Sequence, residues 1–270
     1  MRSGACAPAI DLGCAVSILP QRVIYANVAQ VRRLQAHKNM DRYSKITEKQ
    51  PREIVLLRGR GCAFPTCAFC DYHDDKCSDD QANFELNKQV LDCVTGEFGE
   101  IEVINSGSVF ELDRQTRAYL AEICADRGIS TIHFEAHYNY RNRLDALREE
   151  FTPFNLKMKI GIETFDTEFR ENVLHKGIAE TDPAKICRGF QEGNFLFGIT
   201  GQTQASMERD IELGLAHLER ICLNIMTENT TSIKPDAQVI RVFVENIMPR
   251  YLDNQRVDIL LNNTDFGVGD

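Results

Sequence analysis

Several things are missing from this chain, and each absence removes a class of function. No uninterrupted apolar run reaches the ~18 residues that a membrane helix needs. No block of five or more like charges occurs, and there is no basic stripe. Proteins that grip a nucleic-acid backbone usually carry a basic footprint. Here 31 Lys and Arg face 40 Asp and Glu, for a formal net charge of -9. That balance favours a small-molecule substrate and argues against tRNA, DNA or a membrane as partner. A compact signal peptide is also missing. Residues 1–20 hold apolar pieces with Cys6 and Cys14, but Asp11 interrupts them, whereas a secretory signal needs an unbroken apolar core and a cleavage site. Residues 1–50 are therefore expected to be an N-terminal extension and polar lead-in on a cytoplasmic protein.

The ten cysteines in 270 residues are too thinly spread for a small disulfide scaffold. Most stand singly, as small buried hydrophobes do. Three do not. Cys62, Cys67 and Cys70 lie within nine residues at C-x4-C-x2-C spacing, in the stretch Arg-Gly-Arg-Gly-Cys-Ala-Phe-Pro-Thr-Cys-Ala-Phe-Cys-Asp-Tyr-His. They follow directly on the apolar run Ile54, Val55, Leu56, Leu57.

With 43% hydrophobic residues the chain can bury a substantial core, as one large α/β domain or two small ones. Strand-like segments at 54–58, 101–105, 131–135, 156–163, 195–200, 221–226 and 257–261 alternate with helix-like ones. The helices are expected at 84–95, from Asp113 to Gly128, at 142–150, near 167–174, from Asp182, around Met207 and Ile211, and at 237–248. Leu86, Val90 and Cys93 share one face of the first. Asp182-Pro183 is a cap followed by a first-turn proline. Such alternation means a parallel sheet with right-handed helical crossovers. It closes into a barrel or opens into a doubly wound sheet, and pattern alone does not separate them. In both, the chemistry gathers at the C-terminal ends of the strands.

At those ends stand the cysteine loop, then Asn105-Ser106-Gly107-Ser108, then Glu135, His137, Tyr138 and Tyr140. Further on come Glu163-Thr164, the turn Gly198-Ile199-Thr200-Gly201-Gln202-Thr203, and Thr227-Glu228-Asn229. Thiolates bind zinc or iron–sulfur clusters. Zinc could take Cys77 or His73 as a fourth ligand, although structural zinc usually pairs two short knuckles. A plant-type [2Fe–2S] site has this same spacing and needs a distant fourth cysteine. The nearest downstream, Cys93, falls on the apolar face of its helix and reads as core. The third possibility is a [4Fe–4S] cluster with three protein ligands and one open iron.

These motifs resemble those of the radical S-adenosylmethionine (SAM) enzymes, over residues 52–230. The usual loop there is C-x3-C-x2-C, so this one has an extra residue in its first gap. Phe69, just before the last cysteine, matches. Ser106-Gly107-Ser108 is similar to the segment that meets the methionine amino group, with Glu111 near in place of an acidic residue at 108. Gly161-Ile162-Glu163-Thr164 is similar to the ribose and carboxylate contact. Gly198–Thr203 resembles the turn beside adenine, with Thr200 where proline is usual.

The resemblance implies a partial (β/α)6 TIM-like barrel in a single domain, 51–270. It implies a [4Fe–4S] cluster on Cys62, Cys67 and Cys70. SAM would lie against Phe69, Ser106, Gly107, Ser108, Glu163, Thr164, Gly198, Thr200 and Gly201. One-electron cleavage of SAM would give a 5′-deoxyadenosyl radical, fed by a donor such as flavodoxin or ferredoxin. Within the superfamily the motifs are most like the bacterial queuine lyases of queuine salvage, which release preQ1 from a 7-deazaguanine base. Glu135, Glu228 and Asp265 are then candidates for the N–H donors of the base. Tyr72, Tyr138 and Phe110 could stack on it, and His73 and His137 are catalytic candidates. Two other readings stay open: a radical SAM enzyme modifying tRNA or another macromolecule, and a non-enzymatic zinc or cluster-binding module.

Overall fold

The computed structural model describes residues 17–18, 42–72 and 75–261. Among these, nine strands form one sheet in simple sequential order. The first is a two-residue piece, β1 (Ser17–Ile18), parallel to β2 (Tyr43–Ile46). β2 runs antiparallel to β3 (Arg52–Leu57). From β3 onward every neighbour is parallel, through β4 (Glu100–Asn105), β5 (Thr131–Ala136) and β6 (Asn155–Glu163) to β7 (Glu192–Phe197), β8 (Arg220–Ile225) and β9 (Val257–Leu260). The fold is α/β, a partial barrel. No described helix is long and apolar enough to cross a membrane.

The helices lie outside the sheet: α1 (Asp80–Asp92), α2 (Arg114–Asp126), α3 (Leu144–Glu150), α4 (Thr167–Asn172), α5 (Pro183–Ile186), α6 (Gln204–His217) and α7 (Ala237–Val242). Alternation along each strand sorts side chains between two compartments. Val55, Leu57, Val103, Phe134, Met158 and Phe197 face the helices and belong to the main core. Ile54 and Leu56 face the other way and cluster with Ile46 and Ile104. β3 is buried along its whole length, as expected of a parallel strand covered on both sides.

The inward positions at the N-terminal ends of the strands are charged. Arg52 Nε donates to Glu102 at 2.5 Å, and Arg52 Nη2 lies 3.3 Å from Asp258. Arg220 donates to Glu192 at 2.6 Å and to Asp258 at 3.1 Å. Lys159 pairs with Glu102. His133 lies between Glu192, at 2.9 Å, and Glu100, at 3.1 Å. Charges so deep are tolerable only when paired. Burial lowers the Lys159 ammonium to about 8. Burial alone would raise Glu192, but the hydrogen bond and charge of His133, with Arg220 and Lys159, hold it below the ordinary carboxylate range. This ionic layer floors the barrel.

The element order matches the sequence reading, and several boundaries move. β7 begins at Glu192 rather than at 195, because Glu192 and Asn194 are inward-facing polar residues that look like loop. The helix expected at 142–150 is a 3-10 stretch, Tyr138–Arg143, followed by the short α3. α7 passes into a π-turn, Phe243–Ile247, and a 3-10 turn, Met248–Arg250. β2 lies in what reads as polar lead-in. Four residues with two polar ones carry no periodic signal, and only pairing with β3 makes them a strand.

Candidate active site

The cysteine loop leaves the C-terminal end of β3 and is tied to the first helix at once. Arg58 N donates to Asn87 Oδ1 at 2.7 Å, and Arg58 Nε to Asn83 Oδ1 at 2.9 Å. Three further segments clamp it. Ala68 N donates to Leu174 O at 2.9 Å and Thr66 Oγ1 to His175 O at 3.2 Å. The Phe64 ring stacks on His137 with centroids 4.6 Å apart. Asn229 Nδ2 donates to Phe69 O at 2.7 Å. Cys62, Cys67 and Cys70 carry free, half-buried thiols. Burial pushes the Cys70 thiol up to about 11 and raises the other two.

This donor set fits an iron–sulfur cluster. Three thiols on one loop are the donor set that such a cluster takes. A polynuclear cluster takes one cysteine per iron, so its ligands do not share a centre. Cys93, at the C-cap of α1, packs partly buried against the main core, but it is disulfide-bonded, as is Cys77, so neither is the simple buried thiol or the free fourth ligand that the spacing suggested.

The loop after β4 presses against the cysteine loop. A Cβ on Gly107 would stand 3.0 Å from Cys62 Cα and 3.1 Å from Cys62 N, so only glycine lets the two backbones meet. Glu111 joins them. Its carboxylate accepts from Ser108 N at 2.5 Å, Tyr140 Oη at 2.6 Å and Ala63 N at 3.3 Å. Ser106 Oγ donates to Asp75 O at 2.6 Å, and Ser108 Oγ accepts from His137 N at 2.9 Å.

β6 ends in a bulge between Gly161 and Glu163. Glu163 has φ 66, a left-handed conformation unusual for a side-chain-bearing residue. Its partner is one the sequence reading missed. Lys176 Nζ lies 2.8 Å from Glu163 Oε1 and 5.4 Å from the Phe69 ring centroid. Burial works against this ammonium, but Glu163 and the nearby Cys67 outweigh it and raise its pKa. Gly161 makes the room, since a Cβ there would stand 2.9 Å from Glu163 Oε1 and 3.1 Å from Lys176 Nζ. Asp210 was also missed. It accepts from Phe165 N at 2.7 Å and bonds Thr164, which pins the turn after Glu163. Neither residue sits in a local motif, and each reaches the site only through the fold.

After β7, Gly198 and Gly201 have φ 90 and 99, and Gln202 folds back to accept from Ile199 N at 3.0 Å and donate to Leu196 O at 2.8 Å. Thr200 Oγ1 donates to Asp236 at 2.8 Å. The turn thus keeps its shape without proline at 200.

Inside the barrel, between this rim and the ionic floor, Glu135 Oε1 accepts from Asn194 Nδ2 at 2.7 Å. Burial lifts the Glu135 acid to about 7. His137 is buried against the cysteine loop, its Nε2 3.1 Å from Lys176 O, and burial lowers it to about 4. The other candidates sit elsewhere. Tyr138 belongs to the main core, under the Arg141 guanidinium. Phe110 packs with Tyr140 and Arg143. Tyr72 is exposed, and Glu228 is exposed near Lys234. His73 and Asp265 lie outside the described residues.

Neither a protein-family model nor a curated protein matches the chain. Solved structures do. The queuine lyase from Clostridium spiroforme, bound to SAM and queuine, superposes with a TM-score of 0.81 and 41% sequence identity, covering 86% of this chain and 100% of that one. Streptococcus suis SuiB bound to S-adenosylmethionine superposes with a TM-score of 0.51 at 15% identity, over 77% of this chain and 50% of that one, a likeness of fold alone. Parallel strands curled part-way round, with three cysteines at the end of the first and glycine turns on the same rim, define a radical SAM enzyme. Within that class, the chain belongs to the queuine lyase family.

Proposed function

We infer that this protein cleaves queuine to preQ1, using a [4Fe–4S] cluster and SAM. The observation that carries the reading is the match to the Clostridium spiroforme enzyme over 86% of this chain and the whole of that one, joined to a cysteine loop that is packed against Gly107 and bonded to the segments following α4 and β8. Cys62, Cys67 and Cys70 would ligate the cluster. Ser106, Gly107 and Ser108 would border the methionine end of SAM, Glu163 and Thr164 its ribose, and Gly198, Thr200 and Gly201 its adenine. When bound, the cluster and SAM would supply the one-electron radical chemistry that these residues direct at the substrate.

The chain's own residues fix geometry and exclude water. Glu111 locks the loops after β3 and β4 together, so cluster ligand and cofactor border move as one. Phe69 and Phe64 cover the cluster loop, with His137 kept neutral behind it. The charged floor closes the interior from below, where stray hydrogen donors would otherwise enter. Residues 51–270 would act as one catalytic domain in the cytoplasm, fed electrons by a flavodoxin or ferredoxin.

The test is anaerobic reconstitution followed by turnover. With queuine, SAM and a strong reductant, preQ1 and 5′-deoxyadenosine should appear by mass spectrometry. Each should vanish in the Cys67→Ala variant. SAM cleavage without preQ1 would sink the substrate assignment and keep the radical chemistry.

A further inference from the structure

The barrel interior carries one polar pair that neither the floor nor the cofactor border uses. Glu135 on β5 and Asn194 on β7 reach each other across β6, at the level where β6 has Gly161, the register partner of Asn194. Each stands two residues along its strand from a residue of the floor, Glu135 from His133 on β5 and Asn194 from Glu192 on β7. The pair therefore sits between cofactor border and floor. Asn194 Nδ2 donates to Glu135 Oε1 at 2.7 Å. Because the amide turns its NH2 toward the carboxyl oxygen, it presents its own oxygen elsewhere. Among the described residues, Glu135 Oε2 and Asn194 Oδ1 have no hydrogen-bond partner, and neither is sealed from solvent. Asn224, the next inward polar residue on β8, is committed to Phe195 O at 3.3 Å.

We propose that Glu135 and Asn194 together read the base, presenting two adjacent acceptors to the N1–H and 2-amino donors of the 7-deazaguanine ring. The inference rests on the queuine reading above and adds the residues that set its specificity. A carboxylate meeting N–H donors makes the stronger, charge-assisted kind of hydrogen bond. An edge that lacks the 2-amino group leaves an acceptor unpaired, and an adenine-like edge turns an acceptor toward the carboxylate. Sites built this way reject the wrong edge strongly, because the penalty is an unsatisfied polar group and not merely a lost contact. Asn194 is a positioning residue as well: without it the carboxylate is free to turn toward Lys176.

The experiment is equilibrium binding to the anaerobically reconstituted holoenzyme with SAM present. Queuine is compared with its analogue lacking the 2-amino group, for the parent protein, Glu135→Gln and Asn194→Ala. The parent should favour queuine by ~10²-fold or more. Glu135→Gln should bring the two ligands to similar affinity, Asn194→Ala should lower the preference part-way, and SAM affinity should hold in both. A purely structural role would weaken both ligands alike and keep the ratio, which overturns the proposal. Should Glu135→Gln fail to fold, the ratio in Asn194→Ala decides. If the parent binds neither ligand, the queuine reading falls with it. If the parent binds both equally, only the assignment of the pair falls.

Discussion

Lys176 holds its ammonium 2.8 Å from Glu163 Oε1, on the side of the cysteine loop and against the Phe69 ring. Glu163 keeps its left-handed backbone while its side chain is gripped there. Removing one partner of a buried pair strands the other, at a cost of about 3–5 kcal/mol. Lys176→Met should lower the denaturant midpoint accordingly and weaken SAM binding by at least ~10-fold. Adding Glu163→Gln to it should recover part of the stability and none of the SAM affinity. Urea titration and equilibrium dialysis with SAM read the two effects separately.

Gly107 tests the contact between the two loops. With 3.0 Å to Cys62 Cα, a methyl group has backbone in its way on the cluster side and Glu111 Oε2 at 3.1 Å on the other. Gly107→Ala should keep its helical and strand content by circular dichroism. Its iron and sulfide content after reconstitution should fall below half that of the parent.

Glu135 gives the fold a pH dependence of known sign. Its acid is raised from the usual 4.5 to about 7 by burial, with Glu163 adding to it and Asn194 and Lys176 opposing. The folded state therefore holds this proton more tightly than the unfolded one, and stability is lost as pH rises from about 4.5 to about 7. Glu135→Gln removes that loss. It should melt higher than the parent at pH 8, by an amount equivalent to about 1–3 kcal/mol, with the gap closing by about pH 4.5.

The floor runs the opposite way. Glu192 is held below its unfolded pKa, so its contribution is complete above about 4.5 and fades as pH falls further. Glu192→Gln should cost about 3–5 kcal/mol near neutral pH, because Arg220 and Lys159 lose a shared partner. Its disadvantage against the parent should shrink as pH drops below 4.5, in thermal melts across the acid range.

The sequence was informative wherever chemistry and local pattern coincide. Three cysteines in nine residues, and glycines at strand ends, are visible without a fold. The βα order follows from apolar runs separated by amphipathic ones. What stayed hidden depends on pairing across distance. Tyr43–Ile46 is a strand only because Arg52–Leu57 lies beside it. Lys176 sits in an unremarkable Leu-His-Lys-Gly stretch, and only the return of the chain after α4 brings it to Glu163. Asn194 looks like loop until its neighbours on β6 and β8 define which way it faces. Conversely, Tyr138 and Glu228 are the residue types a heterocycle would want. The fold puts one in the main core and the other in solvent.

β3 has the cysteine loop at one end and Arg52 at the other, and Arg52 reaches Asp258 on β9, the last strand of the sheet. An open sheet has no inherent circumference, since its two edges are free to approach or part. The ion pair from Arg52 to Asp258, with Arg220 beside it, fixes that circumference at the base while the ladder leaves the mouth unjoined. The strand that carries the cluster ligands is thereby referenced to the far edge as well as to its neighbour. The distance across the cavity is set by charge where a closed barrel would set it by hydrogen bonds.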